Sequence, residues 1–182
     1  MIHFVGAGPG AVDLITVRGQ KLLETADQII YAGSLVNPQL LACAKKDCRI
    51  LDSAGMTLEA VIAAMEEGEG QGWMTVRLHT GDPSVYGAIR EQMDILSQKG
   101  LAYDVVPGVS SFCAAAASLQ AEYTLPGISQ SVIITRMEGR TPVPDKQKIA
   151  DYAAHQATMV IFLSASLLDG LQAELLRGGY PA

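Results

Sequence analysis

The chain has 182 residues, 49% of them hydrophobic and 18% charged. That is a globular composition, which excludes a disordered tail or a fibrous repeat. Its net charge of −6 disfavours general binding to nucleic acid or to an anionic membrane, although a local cluster of arginines would still serve an anionic small molecule.

At about 150 residues per domain the length suits one ordinary domain or two small ones. Residues 2–5 read as a strand, 14–26 as a helix, 28–31 as a second strand, 37–44 as a short helix and 49–51 as a third strand. Residues 57–67 set Leu58, Val61, Ile62 and Met65 at i, i+3, i+4 and i+7, one buried helical face. A strand at 73–78, a helix at 84–99 with Ile89, Met93 and Leu96 on one side, and a strand at 103–106 complete the first run. This β-α-β-α order predicts a mostly parallel sheet covered by helices, with right-handed connections.

The pattern changes after Pro107. Residues 108–118 are rich in alanine and read as a closely packing helix, followed by a loop at 120–127. Strands at 131–135 and 159–163 flank a polar loop (136–144) and a helix (145–154), and 167–176 is the last helix. The expected domains are 1–109 and 110–182. The second holds only two strands, and Gly178-Gly179-Tyr180-Pro181-Ala182 reads as a turn leading toward another strand, so this domain is expected to be incomplete.

Three cysteines (Cys43, Cys48, Cys113) do not form a secreted disulfide framework, which makes the cytoplasm the default location. Three histidines lack HExxH or CxxC companions, so no metal is expected. The N-terminus runs straight into a glycine loop without a signal-peptide pattern, and the apolar runs are too short for a membrane span.

Four motifs follow strands. Gly6-Ala7-Gly8-Pro9-Gly10-Ala11 fits GxGxxA, a dinucleotide pattern. Pro9, however, removes a backbone donor, and the second strand ends in Tyr31-Ala32-Gly33 without a ribose-binding acid. Gly81-Asp82-Pro83-Ser84 offers an acid at a strand end that would accept from a ligand, or simply cap a helix. Pro107-Gly108-Val109-Ser110-Ser111 adds hydroxyls on the same predicted rim. In Arg136-Met137-Glu138-Gly139-Arg140, two arginines four apart could fork carboxylates, or the loop could merely be solvated.

Taken together, Val5-Gly6-Ala7-Gly8-Pro9-Gly10, Gly81-Asp82-Pro83-Ser84-Val85-Tyr86-Gly87 and Pro107-Gly108-Val109-Ser110-Ser111 resemble the tetrapyrrole methylases along the whole chain. The resemblance implies two α/β domains with S-adenosylmethionine in the cleft between them. Within the family, residues 31–38 and 135–142 look like the branch that methylates C11 of precorrin-4 in cobalamin synthesis. Residue by residue, it implies cofactor contacts at Pro9, Gly81, Asp82, Val85, Ser110, Ser111 and Leu163. A further adenine-contacting segment of the family lies beyond residue 182. The uroporphyrinogen-III branch carries a proton-accepting Asp after the second strand, where this sequence has Ala32; that departure argues against uroporphyrinogen and leaves the base unassigned.

The implied reaction is an in-line displacement by a ring carbon on the sulfonium methyl, releasing S-adenosylhomocysteine. Alignment alone can contribute about 7–11 kcal/mol. Asp52, Tyr86 and Glu138 are candidates to assist the chemistry. Arg136 and Arg140, and after them Arg18 and Arg90, are candidates for the substrate carboxylates. The resemblance also suggests a cytoplasmic homodimer. The alternatives are another methylase branch (a different precorrin, ribosomal RNA or diphthine), a nicotinamide dehydrogenase, and a truncated non-catalytic form that binds S-adenosylhomocysteine.

Overall fold

The computed structural model describes residues 1–182, with the side chain of Ser34, inside the 31–38 motif, outside the description. The chain divides into two compact units, Met1–Ala114 and Ala115–Ala182.

In the first unit β1 (Ile2–Gly6) leads through a 3-10 turn into α1 (Val17–Thr25) and β2 (Gln28–Tyr31). Two 3-10 turns follow, then β3 (Arg49–Asp52), α2 (Leu58–Gly70), β4 (Thr75–His79), α3 (Arg90–Gln98) and β5 (Tyr103–Val106). α4 (Ser111–Leu119) crosses into the second unit. The expected helix over 14–26 begins only at Val17, because the Thr16 hydroxyl caps it by accepting from Gly19 N–H. Thr57 caps α2 in the same way, accepting from Ala60 N–H.

All five strands run parallel in the order β3-β2-β4-β1-β5. Successive side chains along each strand face opposite layers. Ile2, Phe4 and Ile30 bury against Val61, Ile62 and Met65 of α2 and Leu96 of α3. Val5, Ile29, Val76 and Leu78 bury on the other side against Leu23 of α1 and Leu40. The chain therefore leaves β1 on one face and the adjacent strand β4 on the other. The carboxyl ends of β1 and β4 form a topological switch point, where open parallel sheets bind ligands.

The second unit carries β6 (Val132–Arg136), α5 (Ile149–Ala153), β7 (Thr158–Phe162) and α6 (Leu168–Arg177). β6 and β7 pair in parallel with Arg136 opposite Phe162. Ile149, Ala150 and Ala153 of α5 supply its buried apolar surface.

The expected helix over 84–99 is also corrected. Residues 84–89 are not helical, and α3 starts at Arg90. Tyr86 and Ala88 hold left-handed φ values of +55° and +51°, conformations that an α-helix excludes. Leucine and isoleucine spacing reports a buried face but carries no signal of such a break.

Candidate functional site

The three glycine loops of the first unit meet at the switch point. Ala7 N–H donates to His79 O at 2.7 Å. Gly8 N–H donates to Gly81 O at 3.2 Å, and Gly81 N–H returns a bond to Gly8 O at 2.8 Å. Pro9 has no N–H to give. Three successive positions thus offer no backbone donor to a pyrophosphate. β4 also stands between β2 and β1, unlike the 3-2-1-4-5 order of dinucleotide folds. These features set the first loop apart from a nicotinamide site.

Gly81 holds φ +62°, which glycine adopts at no steric cost. Asp82 follows it. Its Oδ1 accepts from Ser84 N–H at 2.8 Å and from the Ser84 hydroxyl. Its Oδ2 accepts from Gly108 N–H at 2.9 Å. Burial acts to raise the carboxyl's pKa, but the bonds from Ser84 and Gly108 outweigh it and hold the group below its ordinary value. With no helix at Pro83, Asp82 closes a local turn and ties two loops together; it caps no helix.

The loops also touch through backbone. A Cβ on Gly108 would lie 2.1 Å from Gly81 O and 2.8 Å from Gly6 Cα. Only glycine permits that approach. Ser110 is buried and Ser111 exposed where α4 begins, while Val85 is half-buried on the segment after Asp82. Pro9, Gly81, Asp82, Val85, Ser110 and Ser111 therefore gather on one rim. Tyr86 is half-exposed in its left-handed conformation. Asp52 ends β3 farther along the same sheet edge.

In the second unit, Arg136, Glu138, Arg140 and Leu163 lie at the carboxyl end of β6 and β7. Arg136 is largely committed to its own loop. Its Nη1 donates to Met137 O and Thr141 O at 3.3 and 3.0 Å, and its Nη2 to Pro142 O at 2.8 Å. Arg140 is exposed. Glu138 shares an open cavity of about 440 Å³ with Lys148, Glu174 and Arg177. Leu163 is 72% exposed at φ +55°; an apolar side chain held out on a strained backbone is typical of a contact site. Ser164 beneath it accepts from Met137 N–H at 2.9 Å and donates to Phe162 O at 2.7 Å, joining the two strand ends.

The other arginines stand apart. Arg18 is exposed in the first turn of α1. Arg90 is exposed and paired with Asp94 at 2.9 Å. Sequence reasoning missed Asn37, whose Nδ2 donates to Gly10 O at 2.7 Å, and Thr80, whose hydroxyl donates to Leu35 O at 3.2 Å. Both lace the loop after β2 to the glycine rim. Asn37-Pro38 carried the signal of a helix start and of the 31–38 motif, neither of which names a bond to Gly10. Among the described residues no three His, Cys, Asp or Glu side chains gather to hold a metal, and no helix is long and apolar enough to cross a membrane.

Comparison with known proteins gives the family. Residues 1–182 match the model of the tetrapyrrole (corrin/porphyrin) methylases. The chain is 57% identical to the cobalt-precorrin-4 C(11)-methyltransferase of Methanocaldococcus jannaschii over 179 residues, which cover 98% of this chain and 69% of that protein. It is similar to the X-ray structure of a cobalt precorrin-4 methyltransferase of cobalamin biosynthesis, with TM-score 0.96, 47% identity, and 98% of this chain and 75% of that one covered. It is also similar to a uroporphyrin-III C-methyltransferase from Thermus thermophilus complexed with S-adenosylhomocysteine, with TM-score 0.79, 26% identity, and 99% of this chain and 73% of that one covered.

Proposed function

The chain belongs to the tetrapyrrole methylases, and from that premise we propose that it methylates C11 of precorrin-4 or cobalt-precorrin-4, using S-adenosylmethionine. The observation that carries the reading is the joined rim: the Gly8–Gly81 bridge and the Asp82–Gly108 bond fasten three glycine loops at the switch point of the sheet. The 57% identity to a relative of that activity supports the choice of acceptor.

The rim suits a large polar ligand. Gly6 and Gly108 let the three loops close on one another, since a Cβ on either would collide with backbone of Gly81 or of each other. Pro9, Gly81, Asp82, Val85, Ser110 and Ser111 are assigned to S-adenosylmethionine, and the family resemblance adds Leu163 as an adenine contact. When bound, S-adenosylmethionine supplies a methyl group already activated on a sulfonium. The protein's own task is to hold the acceptor carbon in line and exclude water, worth about 7–11 kcal/mol of the barrier. Arg140 is assigned to the substrate carboxylates, and Arg136 shapes the loop that presents it. The resemblance to the family supports a cytoplasmic homodimer, which light scattering tests.

Calorimetry with S-adenosylhomocysteine and with NAD, followed by turnover with precorrin-4 and its cobalt form, tests the reading. Binding of S-adenosylhomocysteine alone and a C11-methylated product are expected. Binding of NAD, or of neither ligand, overturns it.

A further inference from the structure

Tyr31 and Asp52 end neighbouring strands. They are Cα partners in the parallel register of β2 and β3, so their side chains leave the same face. The Tyr31 ring packs at the edge of the α1-side core, and the strand register sets its phenol on the same face as the Asp52 carboxylate, whose charge acts on it. The pair is fixed from three sides. Asp52 Oδ1 accepts from Ala54 N–H at 2.8 Å. Ser53 donates to Tyr31 O through both its N–H, at 3.0 Å, and its hydroxyl, at 2.8 Å. Gly33, at φ +60°, leaves the carboxylate room: a Cβ there would lie 3.3 Å from Asp52 Oδ1 and 2.8 Å from Ala54 Cβ. Burial, and after it the Asp52 charge, push the Tyr31 phenol above its ordinary pKa, keeping it a neutral donor.

Position decides which partner the pair serves. Strands in a sheet lie about 4.8 Å apart, which puts the end of β3 about 10 Å from that of β4 and about 14 Å from that of β1. Asp52 is therefore too far along the edge to touch what Gly8, Gly81 and Gly108 hold, yet it stands on the same rim, where a broad macrocycle reaches. The loop bonds of Thr80 and Asn37 make that rim continuous. Asp82, by contrast, has both carboxylate oxygens engaged.

Resting on the function proposed above, we propose that Asp52, oriented by Tyr31, accepts the proton that the tetrapyrrole loses on methylation. The acceptor carbon forms a bond to the methyl group, the sulfur–methyl bond breaks with its electron pair left on sulfur, and the ring is left with one proton in excess. The Asp52 carboxylate takes that proton and releases it to water. Asp52 is the catalytic group and Tyr31 a positioning residue.

The test compares Asp52→Asn, Asp52→Glu and Tyr31→Phe with the wild-type chain. Asp52→Asn is expected to lower kcat by about 10²- to 10⁴-fold, with KM and S-adenosylhomocysteine affinity unchanged. Asp52→Glu restores part of the rate, and Tyr31→Phe lowers kcat but not affinity. Independently of turnover, the Tyr31 phenol, identified by its loss in Tyr31→Phe, titrates at lower pH in Asp52→Asn. A wild-type rate in Asp52→Asn, a parallel loss of rate and cofactor affinity, or an unmoved phenol titration overturns the inference while leaving the function standing. A wild-type chain that binds no S-adenosylhomocysteine overturns both.

Discussion

Asp82 reaches across the sheet edge to Gly108, 26 residues later, and accepts its N–H at 2.9 Å. One carboxylate thereby sets both its own turn and the loop after β5. Removing it strands the part-buried Gly108 donor, a loss of about 1–3 kcal/mol, while the exposed Ser84 N–H turns to water. Asp82→Ala should weaken S-adenosylhomocysteine binding by roughly 5- to 150-fold in calorimetry. The sign with pH follows from the lowered pKa. The stabilisation is full above the ordinary value of 3.8 and is lost as pH falls through the lower folded value. The stability gap between wild type and Asp82→Ala should therefore be constant above about pH 5 and shrink only below it. A gap that closes near neutrality would contradict this account.

Gly108 gives a steric test of the same junction. An added methyl would sit 2.1 Å from Gly81 O, and backbone cannot swing aside as a flexible side chain can. Overpacking of this kind costs about 1–3 kcal/mol, which at this chain length lowers Tm by roughly 2–12 °C. Gly108→Ala should show that fall together with loss of S-adenosylhomocysteine binding. Gly55→Ala, where nothing lies within 4 Å of the new methyl, should show neither. Equal melting of the two variants would remove the close-approach argument.

These two variants also mark how far the sequence could be read. Five parallel strands, the covering helices and the three glycine loops followed from residue spacing, because a buried face and a tight turn leave local signatures. The meeting of Gly8 with Gly81, and of Asp82 with Gly108, did not, because it depends on β4 lying beside β1, and sequence order does not state strand order. The break at 84–89 was hidden for a related reason: Tyr86 and Ala88 are left-handed although neither is glycine. Tyr31 was missed because only the β2–β3 register sets it against Asp52.

The two arginines of the 136–140 loop should separate. Arg140 is exposed, and Arg136 donates to three carbonyls of its own loop. An exposed ion pair is worth about 0.2–1 kcal/mol, so Arg140→Ala should raise substrate KM by roughly 1.4- to 5-fold, with cofactor affinity and Tm unchanged. Arg136→Ala should instead lower protection of the loop amides in hydrogen exchange. Equal protection in the two variants would refute this division of labour.

His79 predicts an acid sensitivity of the first unit. It is 4% exposed, its ring lies 5.9 Å from that of Phe4, and among the described residues its Nε2 has no hydrogen-bond partner. Arg77, buried two residues earlier, donates to the neutral oxygens of Gln92 and Ile30 at 3.2 Å. Burial, and after it the Arg77 charge, push His79 down from 6.5 to about 3. The unfolded chain therefore binds a proton below pH 6.5 that the folded chain refuses until about pH 3. Stability then rises with pH across that window and falls by about 1.4 kcal/mol for each unit of acidification. In urea unfolding, wild type should lose stability between pH 6.5 and pH 5 relative to His79→Leu, which has nothing to titrate. Parallel pH profiles for the two proteins would mean that His79 finds a proton-accepting environment in the folded chain.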